Sequence, residues 1–125
     1  MNFQDNKPIF QQLAESICDN ILLDRYNACD RIPSVREFAA SVEVNANTVM
    51  RTYELLQNQN IIFNRRGIGY FVSPDAKETI LKMKQETFLN NEIEYFFRQL
   101  YTLGIDSKKL TELYNQYCNT KTSKK

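Results

Sequence analysis

The residues from Pro33 to Asn58 most restrict the folds open to this chain, because they encode two short helices separated by a tight turn. Ser34 and Glu37 have the spacing of a capping box, in which each side chain accepts a hydrogen bond from the other residue's backbone N–H. The helix that begins there has an apolar stripe of only about two turns. Asn45 can cap the next helix, which we expect to run through Asn58. Two short helices joined by such a turn indicate a helix-turn-helix.

The flanking segments supply the other parts of a winged domain. From Pro8 onward, apolar residues recur at helical spacing and predict a first helix that starts at this proline. Residues 61–63 and 70–72 are β-favouring runs, and the glycines between them permit a hairpin turn. The predicted fold is therefore mainly α (α+β), with an N-terminal winged helix-turn-helix over residues 1–74 and a small two-stranded wing.

The rest of the chain predicts two more helices. Residues 75–103 contain no helix breaker, Gly104 should end that helix, and Asp106 or Ser107 can cap the last one. We expect residues 75–118 to form a two-helix region and residues 119–125 a flexible polar tail. About fifty residues bury too little apolar surface to fold alone, so the aromatic side chains here should pack on a second copy. The alternative is that these helices fold back on their own N-terminal domain. The predicted dimerisation residues are Leu89, Ile93, Phe96, Phe97, Leu100, Tyr101, Leu113 and Tyr117.

Composition argues against catalysis and export. The chain has no histidine, which removes the commonest general base and the commonest metal ligand, so we expect no enzyme activity, no cofactor and no metal. Cys18, Cys29 and Cys118 form no CxxC pair and should be reduced, mostly buried thiols. The sequence has no apolar run of the roughly 18 residues that span a bilayer and no signal peptide, which predicts a cytoplasmic protein.

A recognition helix must present short polar side chains at the end that enters the major groove, together with cations that hold phosphates. Asn47 and Thr48 meet the first requirement, and so does Asn45 if it is more than a helix cap. The cations placed to hold DNA are Arg36 at the start of the preceding helix, Arg51 on the recognition helix, and Arg65 and Arg66 in the wing.

Each of these side chains also has an ordinary structural interpretation. Arg36, Arg65 and Arg66 can be solvated surface charges, and Arg51 can pair with Glu54 three residues ahead. We expect Tyr53 to be a core residue of the helical motif and not a DNA contact. Each signal alone is weak, but their order on one short scaffold favours DNA binding.

With these elements in place, residues 8–73 resemble the winged helix-turn-helix of the GntR family over more than half of the chain. The resemblance is carried by PIFQQL at residues 8–13, DRIPSVREFA at 30–39, VNANTVMRTY at 44–53 and RRGIGYFV at 65–72. Within the family, SVR and NANTV are similar to the YtrA subfamily. The resemblance to that subfamily implies that a short two-helix C-terminal part dimerises, in place of a large effector-binding domain.

The resemblance also implies a function. It points to a sequence-specific transcriptional repressor that binds a palindromic operator, often near transporter operons, with DNA contacts at positions matching Arg36, Asn47, Thr48 and Gly67. The expected partners are double-stranded DNA and a second copy of the chain. An unknown small-molecule effector is also possible, in a cavity lined by Phe96, Phe97 and Tyr101. The predicted DNA-binding residues are Ser34, Arg36, Asn45, Asn47, Thr48, Arg51, Arg65, Arg66, Gly67 and Gly69.

Several positions depart from the family pattern. The loop at residues 26–29 lacks its usual glycine, Ala46 and Met50 stand where other branches carry arginine, and Ile68 replaces a basic wing residue. Residues 1–74 are also nearly neutral, with seven cationic against eight anionic side chains. This balance supports the competing hypothesis of a winged-helix protein-interaction module that does not bind DNA. Affinity that falls steeply with salt would favour DNA binding instead.

Overall fold

The computed structural model describes residues 7–123; residues 1–6 of the predicted N-terminal domain and residues 124–125 of the predicted tail lie outside that range. The elements of this part of the chain are α1 (Ile9–Leu22), α2 (Val35–Val42), α3 (Ala46–Asn58), β1 (Ile62–Arg65), β2 (Gly69–Val72), α4 (Ala76–Thr87), a π-helical segment (Phe88–Glu92), α5 (Ile93–Leu103) and α6 (Ser107–Ser123). The chain divides into two compact units, one ending at Met83 and one beginning at Lys84.

The helix-turn-helix forms as its sequence predicts. Ser34 and Glu37 make the reciprocal capping box at the start of α2. The Asn45 side chain accepts a hydrogen bond from the Asn47 backbone N–H at the start of α3. Between the two helices, Glu43 adopts a left-handed conformation with φ 55°, which closes α2 and turns the chain sharply toward α3.

The core of the first unit is built around the inner face of α3. Val49, Tyr53 and Leu56 have no exposed surface, and Tyr53 is a core residue as predicted. The inner face of α1, including Ile17 and Ile21, packs into the same cluster. The spacing of these positions matches the helical period, so each helix keeps its other face free.

The wing is a hairpin with one face in this core. β1 and β2 pair antiparallel, with Ile62 opposite Val72 and Arg65 opposite Gly69. Ile62 and Val72 are buried. The Tyr70 ring lies edge-on to the Tyr53 ring, with the two ring centroids 4.9 Å apart. Because side chains alternate across a strand, Phe63, Arg65 and Phe71 lie on the opposite face of the hairpin.

A third extended segment pairs with the outer edge of β2. The Cys29 N–H donates to the Val72 carbonyl, the Val72 N–H to Asp30 and the Ile32 N–H to Tyr70, each at 2.9 Å. Cys29 has φ 67°, so it takes the left-handed position in a loop that lacks the family's usual glycine. The three cysteines are all free, but only Cys18 is buried; the expectation of mostly buried thiols is wrong because pairing with β2 leaves Cys29 exposed.

The C-terminal elements differ from the prediction in three respects. The first unit continues beyond residue 74, because Ala76 and Ile80 of α4 are buried in its core. The predicted unbroken helix over residues 75–103 is interrupted by the π-helical segment. Helix α6 continues to Ser123, past the predicted boundary at residue 118. Gly104 ends α5 with φ 73°, and the Asp106 carboxylate caps α6 by accepting from the Lys109 N–H at 2.9 Å.

Candidate nucleic-acid interface

The first turn of α2 combines unpaired backbone donors with an exposed cation. The capping box uses the N–H groups of Ser34 and Glu37. In the described structure the N–H groups of Val35 and Arg36 have no partner, as expected for the first turn of a helix. The Arg36 side chain is exposed and makes no hydrogen bond or ion pair within residues 7–123. Such a helix start is suited to an anion such as a phosphate.

The carboxylate of Glu37 places a negative charge at the same helix start. Its pKa lies below the ordinary value because it accepts the Ser34 backbone N–H, and next because of the Ser34 side chain and the charge of Arg31. Glu37 is therefore negatively charged at neutral pH. A phosphate at this end of α2 would therefore need nearby cations that offset that charge.

Helix α3 presents a polar outer face. Asn47, Met50, Arg51 and Glu54 are exposed and recur at the three- and four-residue spacing of one helix face. Thr48 is half-buried beside them. The Asn45 Oδ1 atom is occupied by the Asn47 N–H at 2.7 Å, which establishes its capping role and leaves its amide NH₂ for other contacts.

Arg51 is held over the aromatic ring of Phe10 on α1. Its guanidinium carbon lies 4.2 Å from the ring centroid, in the geometry of a cation–π contact. The alternative ion pair with Glu54 does not occur in the described structure. The neighbouring Thr52 hydroxyl lies within hydrogen-bonding distance of the Phe10 carbonyl at 3.0 Å. Phe10 thus contacts α3 with both its ring and its backbone, and sequence reasoning missed this role.

The tip of the wing is a tight turn with exposed cations. The Ile68 N–H donates to the Arg65 carbonyl at 2.8 Å, and Gly67 has φ 79°, a left-handed conformation that favours glycine. Arg66 is exposed, and Ile68 is an exposed apolar side chain at the tip. The turn therefore projects Arg66, Gly67 and Ile68 away from the core.

The outer face of the wing carries aromatic rings and guanidinium groups. The rings of Phe63 and Phe71 stack with their centroids 5.7 Å apart, and the Arg65 guanidinium carbon lies 5.8 Å from the centroid of the Phe71 ring. The backbone of Arg31, in the third extended segment, pairs antiparallel with that of Phe71, and the Arg31 side chain lies across Gly69. Arg31 was not among the predicted interface residues, because only its pairing with β2, about forty residues later, places it on the wing.

The predicted dimerisation residues lie in the second unit and are largely uncovered. Ile93 and Leu100 are half-buried, whereas Phe97 is 51% and Tyr101 90% exposed. On α5 the apolar residues recur at the helical period, and α6 has a second such stripe. No side chain between residues 84 and 121 is buried. The remaining exposed members of the predicted set are Leu89, Phe96, Leu113 and Tyr117.

Other kinds of site find little support in the described residues. Within residues 7–123 no group of three His, Cys, Asp or Glu side chains could hold a metal ion. A surface depression of about 260 Å³ is lined by Arg98, Gln99, Thr102 and Leu103 of α5. The aromatic residues predicted to line an effector cavity do not contribute to it. In the same part of the chain, no helix is both long and apolar enough to cross a membrane.

Comparison with known proteins identifies the scaffold that carries this interface. The family model for "Bacterial regulatory proteins, gntR family" matches residues 9–72. The chain belongs to the GntR family. This family consists of transcriptional regulators, so the chain is a DNA-binding regulator and not an enzyme. The predicted family, winged fold and absence of an enzymatic role are confirmed.

GntR relatives extend the likeness into the C-terminal helices. The uncharacterized HTH-type regulator YhcF of Bacillus subtilis is 33% identical over 110 residues, covering 88% of this chain and 89% of that protein. The HTH-type transcriptional repressor YtrA of the same organism is 29% identical and covers 87% of this chain and 83% of its own length. The crystal structure of a putative GntR regulator from Bacteroides thetaiotaomicron is 50% identical, with a TM-score of 0.80 over 91% of this chain and 99% of that one. The resemblance to the YtrA subfamily is confirmed.

Proposed function

We propose that this GntR regulator is a dimeric repressor that inserts α3 of each winged head into the major groove of a palindromic operator. The observation that carries the proposal is the outer face of α3, where Asn47 and Arg51 are exposed while the opposite face forms the core. A helix held rigidly on one face and polar on the other is what major-groove reading requires.

The proposed contacts divide into base reading and phosphate positioning. Asn47 and Thr48 stand at the leading end of α3, where an asparagine amide can pair bidentately with adenine. Arg51, one turn further along, reaches a guanine edge or a phosphate. Ser34 and Arg36 at the start of α2 hold a phosphate, with Asn45 fixing the start of α3. The proposed wing contacts with the adjacent groove or its backbone are Arg65, Arg66, Gly67 and Gly69.

The uncovered apolar stripes of α5 and α6 support the dimer. Exposed apolar surface on this scale is unusual in a monomer and is normally covered by a partner. A twofold pair of identical chains would cover it and would supply the two heads that a palindromic operator needs. We expect half-sites whose centres lie about 10 base pairs apart, or a multiple of that distance.

The experiment that tests this function is selection of bound sequences from random duplex DNA with the full-length chain. We expect an inverted repeat to be recovered. On that duplex, Arg36→Ala and Arg51→Ala should each weaken binding by about 1–3 kcal/mol without lowering thermal stability. Arg25→Ala is the matched control, because Arg25 is an exposed arginine bonded to Asn20 in the loop after α1. If both interface variants bind like the wild type, this reading surface is wrong.

Repression in the cytoplasm, by blocking a promoter, is the regulatory outcome we propose. It is supported by similarity to a repressor, YtrA. The resemblance further suggests a transporter operon as the target. A reporter driven by the native upstream region should rise in expression when the gene is deleted. A fall in expression would identify an activator instead.

The competing function, a winged-helix protein-interaction module, is supported by the near neutrality of residues 1–74. The two functions differ in their salt response. Binding through phosphates weakens linearly on logarithmic axes as salt rises, whereas contact with a neutral protein surface responds little. Absence of any salt-dependent duplex binding would favour the protein-interaction module.

A further inference from the structure

Arg31 occupies a position on the wing that its place in the sequence does not suggest. The segment around it pairs with β2, and its side chain lies against Gly69. A Cβ atom on residue 69 would lie 2.9 Å from the Arg31 Nε atom and 3.3 Å from Nη2. Atoms this close overlap, so the guanidinium in this conformation lies in the space that a side chain at residue 69 would fill, and a Cβ atom there would displace it.

The guanidinium of Arg31 is not committed to any partner among residues 7–123. The residue is exposed, and in the described structure it makes no hydrogen bond or ion pair. Its positive charge contributes, as the smallest of the causes, to the lowered pKa of Glu37. By contrast, Arg25 donates to Asn20 Oδ1 at 3.0 Å and Arg98 pairs with Glu94. Arg31 therefore presents a planar group with five donors to solvent.

Arg31 lies between the two regions that are proposed to hold phosphates, the start of α2 and the wing. In the chain, Arg31 precedes the cap of α2 at Ser34 by three residues. In the wing, it lies beside Gly69, two residues after Gly67 at the hairpin turn. A DNA backbone that contacts both the start of α2 and the wing would have to pass the segment between them. A guanidinium group at this place can bind two phosphate oxygens at once, because its planar fork of donors matches their geometry.

We propose that Arg31 is a phosphate-binding residue of the DNA interface and that Gly69 helps to place it by leaving open the space in which this side chain crosses the wing. The inference rests on the proposed DNA-binding function and adds a cation that was not among the predicted DNA-binding residues. Arg31 positions the protein on the duplex and does not read sequence, because phosphates carry no base information.

The test is the salt dependence of binding by the full-length chain, measured on the selected operator duplex and on a scrambled duplex. Each phosphate contact contributes about 0.9 to the slope of log K against log salt. Because the proposed dimer carries one Arg31 in each head, Arg31→Ala should flatten the slope by about 1.8 and weaken both duplexes by a similar factor. Arg31→Gln, which keeps the side-chain stem, should do the same, and Arg31→Lys should retain the slope. The charge-matched control Arg25→Ala should leave it unchanged.

The outcomes separate this inference from the proposed function. If the wild type binds no duplex, both fail. If the wild type binds and Arg31→Gln retains the full slope while folding normally, only the role of Arg31 is overturned. If Arg31 served only to offset Glu37, the effect of Arg31→Ala would disappear in a Glu37→Gln background. We expect the flattening to persist there.

A second comparison tests the passage at Gly69. Gly69 has φ 144°, so Gly69→Ala strains the backbone in addition to displacing the guanidinium. We expect Gly69→Ala to flatten the salt slope as Arg31→Ala does, and the double variant to show no further flattening. A wild-type slope for Gly69→Ala would overturn the claim that the open space at residue 69 places Arg31 against the phosphate.

Discussion

At the scale of single residues, the most informative contacts are those that hold α3 to the rest of the first unit. Arg51 is exposed but not free, because the Phe10 ring lies 4.2 Å beneath its guanidinium. Arginine loses several rotatable bonds of freedom on binding DNA, and a ring that already restrains it lowers that cost. Phe10 is therefore expected to act on DNA affinity through Arg51.

Phe10→Leu should weaken operator binding by about two- to fivefold, the factor that corresponds to a cation–π contact of about 0.5–1 kcal/mol. Leucine retains an apolar side chain at this half-buried site, so stability should change little. Equilibrium titration of the duplex in wild-type and Arg51→Ala backgrounds is the measurement. An equal effect of Phe10→Leu in both backgrounds would mean that Phe10 does not act through Arg51.

The hydroxyl of Tyr53 provides a second prediction at this scale. It donates to the Pro33 carbonyl at 2.7 Å, and burial raises its pKa well above the ordinary value of 10.0. Near pH 10 the Tyr53 hydroxyl then ionises only in the unfolded chain. The stabilisation that it contributes is therefore complete below pH 10 and declines as pH rises above it. Tyr53→Phe should cost about 1 kcal/mol at neutral pH and reduce the alkaline decline.

Urea denaturation of both proteins at a series of pH values from neutral to above pH 10 measures this difference. The relevant quantity is the gap in unfolding free energy between wild type and Tyr53→Phe, because other tyrosines ionise in the same range. We expect the gap to narrow as pH rises. A constant gap would show that Tyr53 does not resist ionisation in the folded state.

At the scale of elements, α2 depends on its N-terminal capping box. Glu37 accepts the Ser34 N–H at 2.9 Å, and that bond is the main reason why its pKa is lowered. A lowered folded pKa means that the stabilisation is present above the ordinary value of 4.5 and is lost as pH falls through the folded value. Glu37→Gln should remove this part of the acid sensitivity while retaining an acceptor for the N–H group.

The measurement is the midpoint of thermal unfolding between pH 3 and pH 7 for the wild type and Glu37→Gln. The curves should diverge at neutral pH and converge in acid. Parallel curves over this range would show that the capping charge does not contribute to the stability of the unit. Ser34→Ala, which removes the reciprocal bond, serves as the positive control for loss of the cap.

At the scale of the whole molecule, the two compact units differ in how they bury apolar residues. The first has a core that includes Val49, Tyr53 and Leu56, whereas no side chain between residues 84 and 121 of the second is buried. A fold with a complete core can act as a rigid reading head. Helices with uncovered stripes need another surface, which we propose is a second copy of the chain.

Phe97→Glu should convert the proposed dimer to a monomer, because it places a charge on the apolar stripe of α5 at a side chain that is 51% exposed. Sedimentation equilibrium at micromolar protein measures the change. Thr102→Glu adds the same charge to the same helix outside that stripe and should remain dimeric. A monomeric wild type would refute the dimer, and a dimeric Phe97→Glu would place the interface elsewhere.

The helix-turn-helix and the end of α5 could be predicted from sequence because their signals are local. The Ser34 capping box, the Asn45 cap and the stop at Gly104 each involve residues within one or two turns of one another. Hydrogen bonds over such short separations form whenever the right residue types occur in the right order. The family motif then supplied candidate contacts on these elements, and those contacts remain predictions.

Other features were not predictable because they arise from residues far apart in the chain. Neither the Phe10 contact under Arg51 nor the crossing of Arg31 over Gly69 leaves a pattern in the neighbouring sequence. Packing likewise decided that α4 contributes to the core of the first unit, since Ile80 is buried in that core. Sequence alone thus determined which segments are helices, turns and wing, through local hydrogen bonding and apolar periodicity. Tertiary structure decided which exposed cations share a surface, because only long-range packing and strand pairing bring distant side chains together.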